Sequence, residues 1–471
     1  MRRPATNIPE KTPLEDRAPT SLKEELQANP ARRSLIAFLS VVGLLLLIFT
    51  GFSVYSLPQV LASTGKGPNG QKILHATDAD TPDQPPLTAP GEVNAPPLHL
   101  TNDAAIIYES QNGIYKIPVT GGKPQSLLTP GYVYSTSIKP VLTASGLLLY
   151  SGDGLWVTTL ATDTPVQVAK LAAGQIITSM VLSDDSTLVA WSTEPLNGKG
   201  NTNLYLTSLA PATFAQTTLI YQQPANQCPC FRVFSFLEEP GVAAHSFLLL
   251  SDDRGDHDAV RSGLWILDLR ELPADDPQQL LSEDAQQGPL LLMPHQPVLL
   301  YAPAEGVAPE PTDQSVPADL VNLNHATGLT IALLHGDLPT LTQNHTILPA
   351  QHELSNIAEY HWIATPLFSP DGHTLVYLEF SSDAQAPFDR HYAVYSVQVK
   401  MLHGKLQVGQ PQLIATSLAN FVTLGAWMNN NIITFYSSNA LYAMDVQTGA
   451  MTIITKTAAY ARIIDVVQGQ I

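Results

Sequence analysis

One strand pattern recurs seven times between about Leu98 and the C-terminus, and it constrains the fold of this chain more than any other feature. Each unit opens with an apolar strand that ends in an aromatic or large aliphatic residue. After a turn comes a partner strand of the type Leu/Ile-Tyr/Trp-x-apolar. The opening strands are Ala105–Tyr108, Leu147–Tyr150, Leu188–Trp191, Ser246–Leu249, Val298–Tyr301, Leu375–Tyr377 and Ile432–Phe435. Their partners are Gly113–Ile117, Gly154–Val157, Asn203–Leu206, Gly263–Ile266, Leu320–Leu323, Tyr392–Val397 and Ala440–Met444, the fifth of which lacks an aromatic. Third strands follow, as at Gln125–Leu128, Gln279–Leu281, Gln412–Ile414 and Met451–Ile454. Gly, Asn, Asp and Ser gather between them, supplying positive φ or side-chain-to-backbone bonds for hairpins. Repetition at this length predicts an all-β seven-bladed propeller; because the spacing is uneven, six or eight blades stay open.

Inner strands precede these runs, at Ile176–Leu182 for the third unit and Ile363–Phe368 for the sixth. The first unit has none, because a Pro-rich stretch reaches almost to Leu98. The chain ends instead on an apolar segment without a partner, Ala461–Val467. An open sheet edge invites pairing with other chains. This segment is therefore expected to close the ring by joining the first blade.

Within the sixth unit, Phe368-Ser369-Pro370-Asp371-Gly372 leads into Thr374-Leu375-Val376-Tyr377. This turn resembles the PD40 repeat of TolB-like propellers. Leu182-Ser183-Asp184-Asp185-Ser186 is a degraded copy, Trp427-Met428-Asn429-Asn430-Asn431 a weaker one, and Leu441 to Gly449 is similar to that family's outer strands. The resemblance implies a propeller scaffold and carries no active site.

Upstream, Leu35 to Leu57 is almost uninterruptedly apolar and has no charge. At 1.5 Å per residue it is long enough to cross a hydrocarbon layer of about 30 Å. The expected organisation is a cytoplasmic tail (1–33), a signal-anchor helix (34–57), a Pro-rich stalk (58–97) and the propeller (98–471). The tail holds seven Lys/Arg and five Asp/Glu, with Arg32-Arg33 beside the apolar run. The positive-inside rule places it in the cytoplasm and the propeller outside the cell membrane. Ser21-Leu22-Lys23-Glu24 fits a capping box for one short tail helix. The PD40-like turn and the lack of disulfide-rich modules suggest a bacterial origin.

Of 23 Lys/Arg and 41 Asp/Glu in the chain, the tail's share removed leaves a net charge of −20 beyond residue 33. An acidic surface without a basic stripe disfavours nucleic acid. No Gly-x-Ser-x-Gly elbow, His-Glu-x-x-His, P-loop, dinucleotide fingerprint or haem site is present, and no cofactor is expected. The chain is accordingly read as a non-enzymatic module that binds a protein, peptide or cell-envelope component. The alternative is a hydrolase or lactonase with a metal-assisted site in the central channel. A third reading is signalling through the anchor to a partner of the tail.

Two local features bear on sites. Asp252, Asp253, Asp256 and Asp258 crowd one loop, and clustered carboxylates are what calcium requires, although the spacing is not that of an EF-hand. The same loop contains an Arg-Gly-Asp triplet. Cys228 and Cys230, the only cysteines, flank Pro229. Between them the alternatives are a strained disulfide, free thiols or a two-thiolate metal site. Insertions are expected at Ala302–Leu320 and at Gly336–Tyr360, the latter with His345 and His352 and with His361 at its end.

Overall fold

The computed structural model describes residues 98–468, apart from 102, 111–112, 129–137, 162–163, 228, 238–244, 253–260, 284, 304–327, 350–358, 384–389, 419–421, 438 and 458–460. The expected tail, anchor and stalk lie outside the described residues, among which no helix is long and apolar enough to cross a membrane.

The chain folds as a seven-bladed β-propeller. Blade 1 contains β1 (Ala104–Ser110), β2 (Gly113–Pro118) and β3 (Gln125–Ser126). Blade 2 is β4 (Val141–Leu142), β5 (Leu147–Ser151), β6 (Gly154–Thr159) and β7 (Val166–Lys170). Blade 3 is β8 (Gln175–Leu182), β9 (Leu188–Pro195), β10 (Asn201–Ser208) and β11 (Thr217–Pro224). Blade 4 is β12 (Phe231–Leu237), β13 (Phe247–Asp252), β14 (Arg261–Asp268) and β15 (Gln278–Leu281). Blade 5 is β16 (Gln286–Leu292), β17 (Val298–Pro303), β18 (Leu329–His335) and β19 (Thr340–Leu348). Blade 6 is β20 (Glu359–Phe368), β21 (Thr374–Asp383), β22 (Arg390–Leu402) and β24 (Gln412–Leu418), with β23 (Lys405–Val408) as an extra hairpin strand on β22. Blade 7 is β25 (Val422–Trp427), β26 (Ile432–Ser437), β27 (Ala440–Asp445) and β28 (Met451–Lys456). The last strand, β29 (Ala461–Gln468), pairs antiparallel with β1 from Ala104↔Gln468 to Ser110↔Ala461 and completes blade 1 from within.

The packing shows why these strands read as continuous apolar runs. A propeller blade is covered on both faces by its neighbours, so neither side of a central strand meets water, as in buried parallel sheets. In β1, Ile106 and Tyr108 face blade 7, whereas Ile107 faces blade 2. Among the described residues the buried apolar side chains form seven clusters, one at each interface between consecutive blades, and the seventh joins blade 7 to blade 1. The circle is thus closed by packing as well as by the β29–β1 ladder. Where blade 7 meets β29 the approach is close. A Cβ on Gly425 would overlap the side chain of Ile463, so only glycine fits.

Blade 5 departs from the sequence reading. The partner of β17 is β18, at Leu329–His335, not Leu320–Leu323, which lies outside the described residues. Ile331 and Leu333 supply the buried face that the aromatic provides elsewhere. Gly336–Tyr360 is likewise only partly an insertion, because it holds the outer strand β19 with His345 in its ladder with β18. The β22–β23 hairpin clasps that strand: Gln343 donates to the Gly404 carbonyl (3.0 Å) and accepts from the Leu406 N–H (2.9 Å).

Candidate functional site

All inner strands run the same way, so the hairpins that leave them gather on one face of the disc. In blade 6, the Ser369 hydroxyl donates to Asp371 (2.6 Å) and accepts from the Thr374 N–H (2.9 Å). Asp371 also accepts from the His373 N–H (3.0 Å), and Gly372 sits at φ +70°. Blade 3 repeats this web atom for atom: Ser183 to Asp185 (2.7 Å), Leu188 N–H to Ser183 (3.0 Å), Thr187 N–H to Asp185 (3.0 Å). Ser186 takes the glycine's place at φ +58°. Blade 2 has a one-residue-shorter version in which Thr143 is the central hydroxyl, receiving the Leu147 N–H at 2.8 Å. No sequence motif marks it.

These turns reach one another across blades. The imidazole Nδ1–H of His295, on blade 5, donates to Asp184 Oδ2 on blade 3 at 2.9 Å. His245, on blade 4 between them, pairs through Nε2 with Asp185 Oδ2 at 3.2 Å. Side chains two blades apart meet in this way only at the inner edge, so four titratable groups from three blades converge at one mouth of the ring. Asp371 is tied to blade 7 by its N–H, which donates to Asn430 (3.2 Å).

The environment separates the two pairs. Burial acts to raise the Asp185 carboxyl. It is outweighed by the Thr187 N–H, the Ser183 and Thr187 hydroxyls and the His245 charge, and the result is a pKa pushed down to about 2. Asp185 and His245 form a fixed structural pair. The His295 side chain, in contrast, is 71% exposed and its Asp184 partner 41%. With Nδ1 held by Asp184, the His295 Nε2 faces outward. A carboxylate that fixes the tautomer and stabilises the cationic form is the usual support for an imidazole base.

Deeper in the ring, Asp465 lies on β29 just past a bulge and three residues short of Gln468 at this mouth. At about 3.3 Å per strand residue that is about 10 Å inside. Burial holds its carboxyl above the ordinary range, against the Val466 N–H and the charge of Lys139 at the inner edge of blade 2.

The residues singled out in the sequence are only partly described. Asp252 ends β13, is fully buried, and accepts the Cys230 N–H at 3.1 Å. Asp253, Asp256, Asp258 and Cys228 lie outside the described residues, so neither the calcium loop nor the cysteine alternatives are resolved. His352 lies outside them too. Among the described residues, no three His, Cys, Asp or Glu side chains are placed to hold a metal ion. Sequence reading quoted Asp184 and Asp185 only as a decayed turn and passed over His245 and His295. What would have found them is the turn's register, which puts Asp184 at the exposed Pro position of the PD40-like motif.

No protein-family model and no curated protein matches this chain. Similar solved structures include an oligogalacturonate lyase in complex with manganese (13% identity over 76% of this chain and 86% of that one, TM-score 0.42). Others are a periplasmic gluconolactonase of Pseudomonas aeruginosa (11%, 77% and 98%, 0.44) and a putative 6-phosphogluconolactonase of Bacteroides uniformis (12%, 78% and 99%, 0.44). At such identities the likeness concerns the fold alone. These neighbours are enzymes, and with them the expectation of a non-enzymatic propeller is corrected: the absence of linear catalytic motifs does not make a propeller inert.

Proposed function

We propose that this protein is a propeller hydrolase acting on a lactone or similarly activated ester of a small polyhydroxylated compound, displayed outside the cell on its N-terminal anchor. The reading rests on the convergence of the His295–Asp184 pair with His245–Asp185 at one mouth. Hydrolysis of an activated ester is accelerated by a base that takes a proton from the attacking water. In this scheme His295 Nε2 takes a proton from water as its oxygen bonds to the carbonyl carbon. Asp184 steadies the imidazolium. The tetrahedral intermediate then expels the ring alkoxide, which recovers the proton from His295. One water is consumed and one hydroxy acid released.

Extracytoplasmic placement is supported by the apolar Leu35–Leu57 run and its basic flank, and it favours a cell-envelope compound as substrate. The test is acid release from a panel of sugar lactones by the full-length protein in detergent. The expected result is turnover that falls at least about a hundredfold in His295→Ala, within the range general-base catalysis supplies, and falls clearly in Asp184→Asn. Release no faster than in buffer, or equal rates in wild type and His295→Ala, overturns the reading.

A further inference from the structure

A concavity opens on the same face of the disc, between blades 6 and 7. Its volume is about 520 Å³, within the roughly 300–1,000 Å³ typical of small-molecule sites. The strand directions place it there: Thr374 begins β21, Gln398 lies opposite it on β22, Gln412 begins β24, and Gln447–Gly449 form the turn after β27. It therefore runs outward from Asn430 and Asn431 at the rim of the ring.

The chemistry of its lining is uniform. Five carboxamides (Gln398, Gln412, Asn430, Asn431 and Gln447) and the hydroxyl residues Thr374, Ser396 and Thr448 line it together with Leu413, Ile414 and Val446, and no charged side chain does. In a protein this acidic, a neutral patch of this size stands out. Carboxamides both donate and accept, as hydroxyl groups do, so they satisfy a ligand whose every group has that dual character. A charged ligand would find no counter-ion. Several of the amides are already fixed, Gln447 Nε2 on Asn431 (3.0 Å), Gln398 Nε2 on Thr374 (3.1 Å) and Asn430 Oδ1 by the Asp371 N–H (3.2 Å), which limits the ordering cost on binding. The aliphatic side chains in the lining suit the C–H face of a pyranose ring.

We propose that this groove binds neutral oligosaccharide. The inference stands apart from the hydrolase reading, since the groove shares no residue with the His295–Asp184 pair. Titration calorimetry of the full-length protein against neutral α- and β-linked gluco-oligosaccharides and chito-oligosaccharides tests it. At least one series is expected to bind. Gln412→Ala/Gln447→Ala should weaken that binding about tenfold or more, as expected when hydrogen bonds worth about 1 kcal/mol each are lost. Thr448→Val, which keeps shape but removes a hydroxyl, should weaken it less, and His295→Ala not at all. No heat with any neutral series at millimolar concentration overturns the proposal. So does binding that survives the double substitution with the melting midpoint unchanged, or a preference for acidic oligosaccharides or peptides.

Discussion

The two mouths of the ring are both built on opposite charges, yet they use them differently. On the far face, Arg462 reaches Glu109 at 2.6 Å and Arg232 reaches Glu194 at 3.2 Å. Arg462 and Arg232 stand at equivalent places, one or two residues into the inner strands of blades 1 and 4. Glu109 is only 5% exposed there, whereas His295 on the turn face is 71% exposed. Guanidinium and carboxylate stay charged at any physiological pH, so a shielded pair of them clamps the structure. Imidazole changes charge near neutrality, so an accessible imidazole–carboxylate pair can take up and return a proton. The difference puts a shielded ionic clamp at one mouth and an accessible imidazole at the other.

The most severe way to break this contrast is to remove the clamped mouth with its strand. Truncation after Thr457 deletes β29, which buries Ala461, Ile463 and Ile464. At about 1.5–3 kcal/mol for each large aliphatic side chain, plus the exposed β1 edge, the loss rivals the 5–15 kcal/mol total stability of a domain. Circular dichroism melts should show no cooperative transition; a cooperative melt like that of the wild type removes the closure argument. A milder version is Glu109→Ala, which leaves Arg462 shielded without this carboxylate. That should cost about 3–5 kcal/mol in denaturant titration, whereas His295→Ala on the exposed side should cost less than about 1. Equal costs would erase the distinction between the mouths.

The contrast also explains what the sequence could and could not reveal. Strand identity was legible because both faces of each central strand are buried, which writes a run such as Leu147-Leu148-Leu149-Tyr150. Closure was legible because Ala461–Val467 had no partner in its own neighbourhood. Blade 5 misled because its β17–β18 connection is long and β18 lacks the aromatic of its counterparts. The mouth was invisible for a different reason. His295 and Asp184 are 111 residues apart, and only the ring's curvature brings blades 3 and 5 together. Arg232 and Glu194 are hidden in the same way, because their pairing spans two blades.

Acid sharpens the comparison on the turn face. The folded pKa of Asp185 is about 2 against 3.8 for the free residue. A depressed pKa contributes stability above the unfolded value that is lost as pH falls, here from about 4 toward 2. Because the side chain is 50% exposed, screening reduces the effect to about 1 kcal/mol. Asp185→Asn should flatten that part of the stability–pH curve, measured by urea titration at stepped pH. Asp465 has the opposite sign: its raised pKa means that ionisation opposes folding as pH rises. Asp465→Asn should therefore stabilise the protein at neutral pH and leave it unchanged in acid.

The smallest effect separates scaffold from function within a single turn. Blades 3 and 6 share one hydrogen-bond web, but blade 6 has Gly372 where blade 3 has Ser186, both at positive φ. A left-handed conformation costs an L-residue about 1–2 kcal/mol, and the added chain entropy of glycine takes back about 0.4–1. Ser186→Gly should then stabilise by about 0.5 kcal/mol, seen as a small rise in melting midpoint. Gly372→Ala should destabilise, because a Cβ there lies 3.1 Å from Met293 in addition to the strain. If Ser186→Gly instead lowers lactone turnover, the serine's strain helps to set Asp184 and Asp185 for their histidines, since neither carboxylate is touched by the substitution. Unchanged turnover with the small gain in stability leaves the turn as scaffold and confines the proposed chemistry to the His295–Asp184 pair.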